Sequence, residues 1–170
     1  MATLNAHGIR VQLPAGMEGR IYQRPRVGEE IPRSVAQFAT FPIPPDTADF
    51  GGGAVTLMTP QDVFVVLFEY GPESIGKALF ARQGMPSALN PQDFRPYVLR
   101  RGLGGQSGTQ WFFTELSRPF TLYAVLGSHA QRFSLVPRVN SVLSQLTVEP
   151  PPAVASPPLG GVTVTSTTSP

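Results

Sequence analysis

Residues 71–78, GPESIGKA, put Gly71 and Gly76-Lys77 at the spacing of a phosphate-binding loop, directly after the apolar run VFVVLFEY at 63–70. Such a loop cradles phosphates with successive backbone N–H groups, reaches the β and γ oxygens with its lysine, and holds Mg²⁺ with a Ser/Thr hydroxyl. Here Ala78 stands at the hydroxyl position and Pro72 removes one N–H group. The segment therefore reads as a turn leading into one short helix over 72–83, with Gly76 weakening it. No nucleotide cofactor is expected.

The stretch GGQSG at 104–108 misses the nucleophile elbow GxSxG by one residue, and a strand follows it where a helix is required. Ser107 with His129 and either Asp62 or Asp93 would make a hydrolase triad on paper. A glycine-rich hairpin loop is the simpler reading. His7 and His129 are the only histidines and lack zinc-site spacing. With no cysteine, thiolate ligands, disulfides and cysteine nucleophiles are excluded. Asp46 and Asp49 offer carboxylates without the spacing of a calcium loop. No catalytic, cofactor-binding or metal-binding residue is expected.

The remaining chemistry is that of surfaces. Thirteen basic residues face 11 acidic ones, so a net charge of +2 gives little long-range pull on nucleic acid or membrane. Twelve of the thirteen are arginine, whose fork suits bidentate pairing. Arg20, Tyr22 and Arg24 share one strand face, an arrangement that can grip single-stranded nucleic acid but also marks a solvated edge strand. Arg100 and Arg101, with Arg95 and Arg118, suggest a second basic cluster. Binding residues are carried disproportionately by loops on a rigid scaffold. The Pro/Gly-rich segment 44–54 and the loop 102–108 are therefore the expected docking places for a protein partner. Asp46, Asp49, Phe50, Arg100, Arg101 and Arg118 are the candidate partner-binding residues, the arginines as rim or anchor groups. On this reading 44–54 is a surface loop whose exchange for Gly/Ser leaves the fold intact.

The elements that must position these residues follow from periodicity. GIRVQLP (8–14) and RIYQRP (20–25) read as a hairpin across PAGMEG. SVAQFATFPI (34–43) is extended. DVFVVLFEY (62–70) has no alternation and reads as a strand buried on both faces. PYVLRR (96–101), TQWFFTEL (109–116) and PFTLYAVLG (119–127) suggest an antiparallel meander, with Phe120, Leu122, Ala124 and Leu126 on one side and Tyr123 and Val125 on the other. Both faces then need cover. Leu135, Val139, Val142, Leu143 and Leu146 recur at helical spacing and predict a helix over 135–146.

From Pro150 the chain carries no charge and no aromatic residue, so 150–170 is expected to be a disordered Pro/Ser/Thr-rich tail after a single α+β domain at 1–149. The N-terminus lacks a basic region followed by an apolar stretch, so no secretory signal is expected. No run of about 18 apolar residues exists, so no membrane span is expected. A cytoplasmic location fits both.

The opening GIRVQLPAGMEGRIY, and the ending in which RPFTLYAVLGS precedes LVPRVNSVLSQLTV, resemble the Mog1/PsbP-like α/β/α sandwich family over residues 8–148. FGGGAV and GQSGTQWFF are similar to proteins of GC-rich actinobacteria. The resemblance implies an antiparallel sheet covered by helices on both faces, ending in a C-terminal amphipathic helix. It also implies a non-enzymatic accessory or partner-binding role in larger complexes. A hydrolase using Ser107 and His129, or a structural subunit of an assembly, are the alternatives. Neither partner identity nor oligomeric state can be read from the residues.

Overall fold

The computed structural model describes residues 1–25, 28, 32–98 and 103–150. The chain is α+β, with two antiparallel sheets and one α-helix among these residues. β1 (Thr3–Ala6), β2 (Ile9–Gln12) and β8 (Leu146–Val148) form a three-stranded sheet with β2 in the middle. β3 (Glu18–Gln23), β4 (Ser34–Ala39), β5 (Val63–Glu69), β6 (Ser107–Glu115) and β7 (Arg118–Leu126) form the larger sheet in the order β3-β4-β5-β7-β6.

The apolar run of β5 takes the central place, as continuous hydrophobicity demands of a strand buried on both faces. Val63, Val65 and Leu67 enter one core; Phe64, Val66 and Phe68 enter the other. β7 follows its alternation, with Phe120, Leu122, Ala124 and Leu126 in the first core and Val125 and Tyr123 in the second. The first core is closed by Ile9, Val11 and Leu13 from the small sheet and by α1 (Arg132–Leu143), which buries Leu135, Val136, Val139, Val142 and Leu143. Trp111 packs against this core, with Arg82 4.5 Å from its ring centroid.

Several expectations change. Segments 8–14 and 20–25 are not partners: β2 pairs with β1 and β8, while β3 pairs with β4 in the other sheet. The helix starts at Arg132 and ends at Leu143, so Leu146 reaches the core from a strand. In place of a helix over 72–83 there are two 3₁₀ turns, Pro72–Ser74 and Ala78–Phe80. Gly76, at φ +80°, lies between them and turns the backbone out of the right-handed helical region.

No strand begins at 96. Arg95 makes a lone bridge to Gly108, Pro96–Val98 lie outside any strand, and Leu99–Arg101 fall outside the described residues. β6 is therefore an edge strand, and irregular chain covers it: Arg95 bonds Gly108, and Thr114 bonds Arg82 and Gly84. An edge protected in this way offers few free backbone groups to another strand. The expected tail is outside the described residues apart from Pro150. No helix among the described residues is long and apolar enough to cross a membrane.

Candidate interaction surface

The second face of the large sheet carries no α-helix among the described residues. Phe41, Ile43, Ala54, Val55 and Met58 cover Val35, Ala39, Phe64 and Val66 instead. Irregular backbone must be held down by specific bonds, and the loop 44–54 is. Arg20 on β3 donates through Nη1 to the carbonyls of Pro44 (3.3 Å) and Pro45 (3.2 Å), and through Nη2 to that of Thr47 (3.1 Å). Its Nε donates to Gln37 Oε1 at 2.8 Å. Gln37, fully buried on β4, turns its own Nε2 to the carbonyls of Ala48 (2.9 Å) and Asp49 (3.0 Å). Gly51, at φ +85°, lets the backbone lie against Phe64, where a Cβ would meet the ring at 2.5 Å. The expectation of an exchangeable surface loop is thus corrected: 44–54 is the lid of the second core.

Asp49 is the hinge of the arrangement. Tyr22 donates its hydroxyl to Oδ1 (2.7 Å), and Arg24 pairs with Oδ2 (2.8 Å). Arg20, Tyr22, Pro45, Thr47 and Asp49 line a hollow of about 280 Å³. Burial raises the Tyr22 pKa well above the usual phenol value, and the bond to Asp49 and its charge raise it further, against Arg20 and Arg24. Burial alone raises those of Tyr70 and Tyr123.

These phenols hold their protons longer folded than unfolded. Their contribution to stability is whole below about pH 10, where unfolded tyrosine titrates, and is lost as pH rises beyond it. Tyrosine ionisation followed by ultraviolet absorbance should lag the unfolded chain, and Tyr22→Phe should blunt the alkaline loss of stability. Native protein whose phenols all ionise at the ordinary value would contradict this.

Beyond the lid the face is left partly open, and it is aromatic. Phe50, 38% exposed, stacks on Phe68 with centroids 4.7 Å apart and meets Tyr123 edge-on at 6.2 Å. Phe68 contacts Tyr70 (5.1 Å), and Tyr70 contacts Phe80 (5.0 Å) and Phe112 (6.2 Å). Arg24 lies 5.3 Å from the Phe68 centroid. Tyr70, Phe112 and Tyr123 are half-buried, so with Phe50 they present a row of rings across β6 and β7 and just past the end of β5.

Of the candidate residues, Asp49 and Phe50 border this row, and Asp46 is exposed on the same loop. Arg100 and Arg101 lie outside the described residues. Arg118 is not a rim group. It is 6% exposed, and its guanidinium is bound to Glu69 and to three backbone carbonyls inside the protein. The two expected docking loops do adjoin, because Gln106 Nε2 donates to the Val55 carbonyl (2.8 Å). Tyr70, Phe112 and Tyr123 escaped sequence reasoning. Their only signal was the second apolar side of β7, which showed a need for cover without showing where cover stops.

The hydrolase constellation is not assembled. Ser107 is fully buried, and neither its Oγ nor His129 Nδ1 has a hydrogen-bond partner. The Asp62 carboxylate accepts from Thr40 Oγ1, Thr59 N and Thr59 Oγ1. Asp93 accepts from the Asn90 N–H. Lys77 is exposed next to 3₁₀ turns, without a phosphate cradle. Among the described residues no group of three His, Asp or Glu side chains is placed to hold a metal ion. Comparison with family models, curated proteins and solved structures finds no match for this chain.

Proposed function

We propose that this chain is a non-enzymatic accessory protein that binds a protein partner on the aromatic row of its large sheet, within a Mog1/PsbP-like sandwich in the cytoplasm. The observation that carries the reading is the half-open row Tyr123–Phe50–Phe68–Tyr70–Phe112, held by β5, β6, β7 and one pinned loop. Aromatic side chains dominate interface energetics because they bury much area while losing few rotamers. Asp49, Arg24 and Asp46 supply a polar rim, the usual surround of such a patch. The resemblance to the sandwich family supports an accessory role over a catalytic one.

The test is affinity capture from the source organism with the wild-type chain and a Phe50→Ala/Tyr123→Ala variant, followed by reconstitution with the purified partner. The variant should lose the partner while keeping a cooperative melting transition. Equal capture by both proteins would refute the site. A measurable hydrolysis abolished by Ser107→Ala would replace the reading with an enzymatic one.

A further inference from the structure

The two edges of the large sheet differ. Irregular chain bonds to β6 at one end, whereas β3 at the other end has no such cover among the described residues. In an antiparallel ladder, hydrogen-bonded and non-bonded pairs alternate along the strand. Arg24 N donates to the Arg33 carbonyl (2.9 Å), while Thr40 N turns away from β3 to the Val63 carbonyl (3.2 Å). With Arg20 opposite Gln37 and Tyr22 opposite Val35, the backbone groups of Glu18, Arg20 and Tyr22 therefore point to β4. Those of Gly19, Ile21 and Gln23 point outward. Among the described residues no hydrogen bond reaches these outward N–H and carbonyl groups. β1 lays Leu4 on the first-core side of Gly19, but its backbone pairs with β2 alone.

A bare edge is a template for another strand, and natural edges often carry charge to reject one. β3 carries charges that select one alignment over its neighbours. Let a second copy of the chain pair antiparallel with Ile21 opposite Ile21. The outward groups of Gly19 then meet those of Gln23 on the copy, and each free N–H finds a carbonyl. The same register sets Glu18 across from Arg24 and Arg20 across from Tyr22, each twice by the two-fold symmetry. Opposite charges and cation–ring pairs directly across an antiparallel ladder are favourable. Glu18 is exposed and makes no bond among the described residues, and Arg24 bonds Asp49 through Nε, leaving its Nη groups available. Sliding the copy one step in either direction, with bonded groups still matched, sets Arg20 against Arg20 or against Arg24. Like charges placed so are destabilising.

We propose that the chain forms a two-fold dimer through β3, joining the two large sheets into one antiparallel sheet. The axis runs perpendicular to the sheet, so both aromatic rows come out on the same side. The pairing does not depend on what those rows bind.

Sedimentation of the full chain from micromolar to millimolar concentration should show a monomer–dimer equilibrium. Gln23→Pro removes an outward N–H that β4 does not use, and should abolish the dimer while keeping the melting temperature. Glu18→Arg should weaken the dimer roughly tenfold or more, because two attractive cross-strand pairs become repulsive, and Glu18→Gln should weaken it less. A monomer throughout the range would overturn the proposal. So would a dimer that folded Gln23→Pro keeps, whose contact would lie elsewhere, or one that Glu18→Arg leaves undiminished, whose register would differ. Should Gln23→Pro melt early, Glu18→Arg decides alone, since position 18 is exposed and unbonded. Partner capture by the monomeric variant reads the aromatic row separately, so either idea can fail while the other stands.

Discussion

Arg118→Met is expected to lower the unfolding free energy by about 3–5 kcal/mol, the cost of breaking a buried ion pair from one side. All five guanidinium N–H groups are used. Nε and Nη2 donate to the two Glu69 oxygens at 2.7 and 2.9 Å, Nη2 to the His7 carbonyl at 3.1 Å, and Nη1 to the carbonyls of Gly8 and Glu149. One side chain thus joins the β1–β2 turn, the residue that follows β8, and β5 of the other sheet. Methionine fills much of the volume but leaves the Glu69 carboxylate, only 16% exposed, without its cation and the Glu149 carbonyl without its donor, while the Gly8 carbonyl keeps the Glu149 N–H and the His7 carbonyl the Ser34 hydroxyl. Ser34 N still donates to it.

Arg118→Lys should recover only part of the loss, because a single ammonium cannot fork toward Glu69 and three carbonyls at once. The double variant Arg118→Met/Glu69→Met should be more stable than Arg118→Met, since it removes the stranded charge. Urea unfolding of the four proteins measures this. A loss below about 1 kcal/mol, the value of an exposed pair, would show that the pair does not bridge the sheets as described. A domain with roughly 5–15 kcal/mol in total cannot conceal the expected loss.

Arg118 also shows where sequence reasoning stops. A charged residue at the end of a strand reads as a solvated one, and nothing within several residues of it says otherwise. Its partners are Glu69, 49 residues away, and carbonyls at positions 7, 8 and 149. Local apolar pattern fared better. The strands around 63–69, 107–115 and 118–126 and the buried face of α1 were legible because burial writes its period directly into the chain.

Pairing was less legible. PAGMEG is good turn chemistry, yet β2 pairs with β8, whose partner residues lie more than 130 positions away. β1 is only four residues long, with an alternation too short to stand out. In the site, Phe50 and Asp49 were reachable because loops carry binding residues. Tyr70, Phe112 and Tyr123 were not, because periodicity tells which side a residue faces but not whether that side is covered.

The lid that leaves this face half open gives the second large effect. Gln37→Leu is expected to cost about 2 kcal/mol or more, since each buried polar group left unpaired costs about 1–3 kcal/mol. Leucine keeps the bulk but strands two groups together, the Arg20 Nε–H and the Asp49 carbonyl, and takes one of two donors from the Ala48 carbonyl, which keeps the Gly51 N–H. β4 itself is unharmed, because its backbone pairing with β3 and β5 does not use the side chain. The loss therefore falls on the loop, which should loosen from Pro44 to Ala54 and carry Phe50 away from its stack on Phe68. Gln37→Leu should lower the urea midpoint and also weaken any partner held by the aromatic row. Phe50→Ala, by contrast, should weaken the partner with a much smaller loss of stability. The Gly/Ser exchange of 44–54 should resemble Gln37→Leu in kind and exceed it in size, since it uncovers Phe64 and Val66, both without solvent exposure in the native fold. Amide exchange across 46–54 separates local loosening from global unfolding. If Gln37→Leu stays within about 0.5 kcal/mol of wild type, well short of the cost of the unpaired groups, the lid is held by packing alone and the polar clamp beneath it is idle.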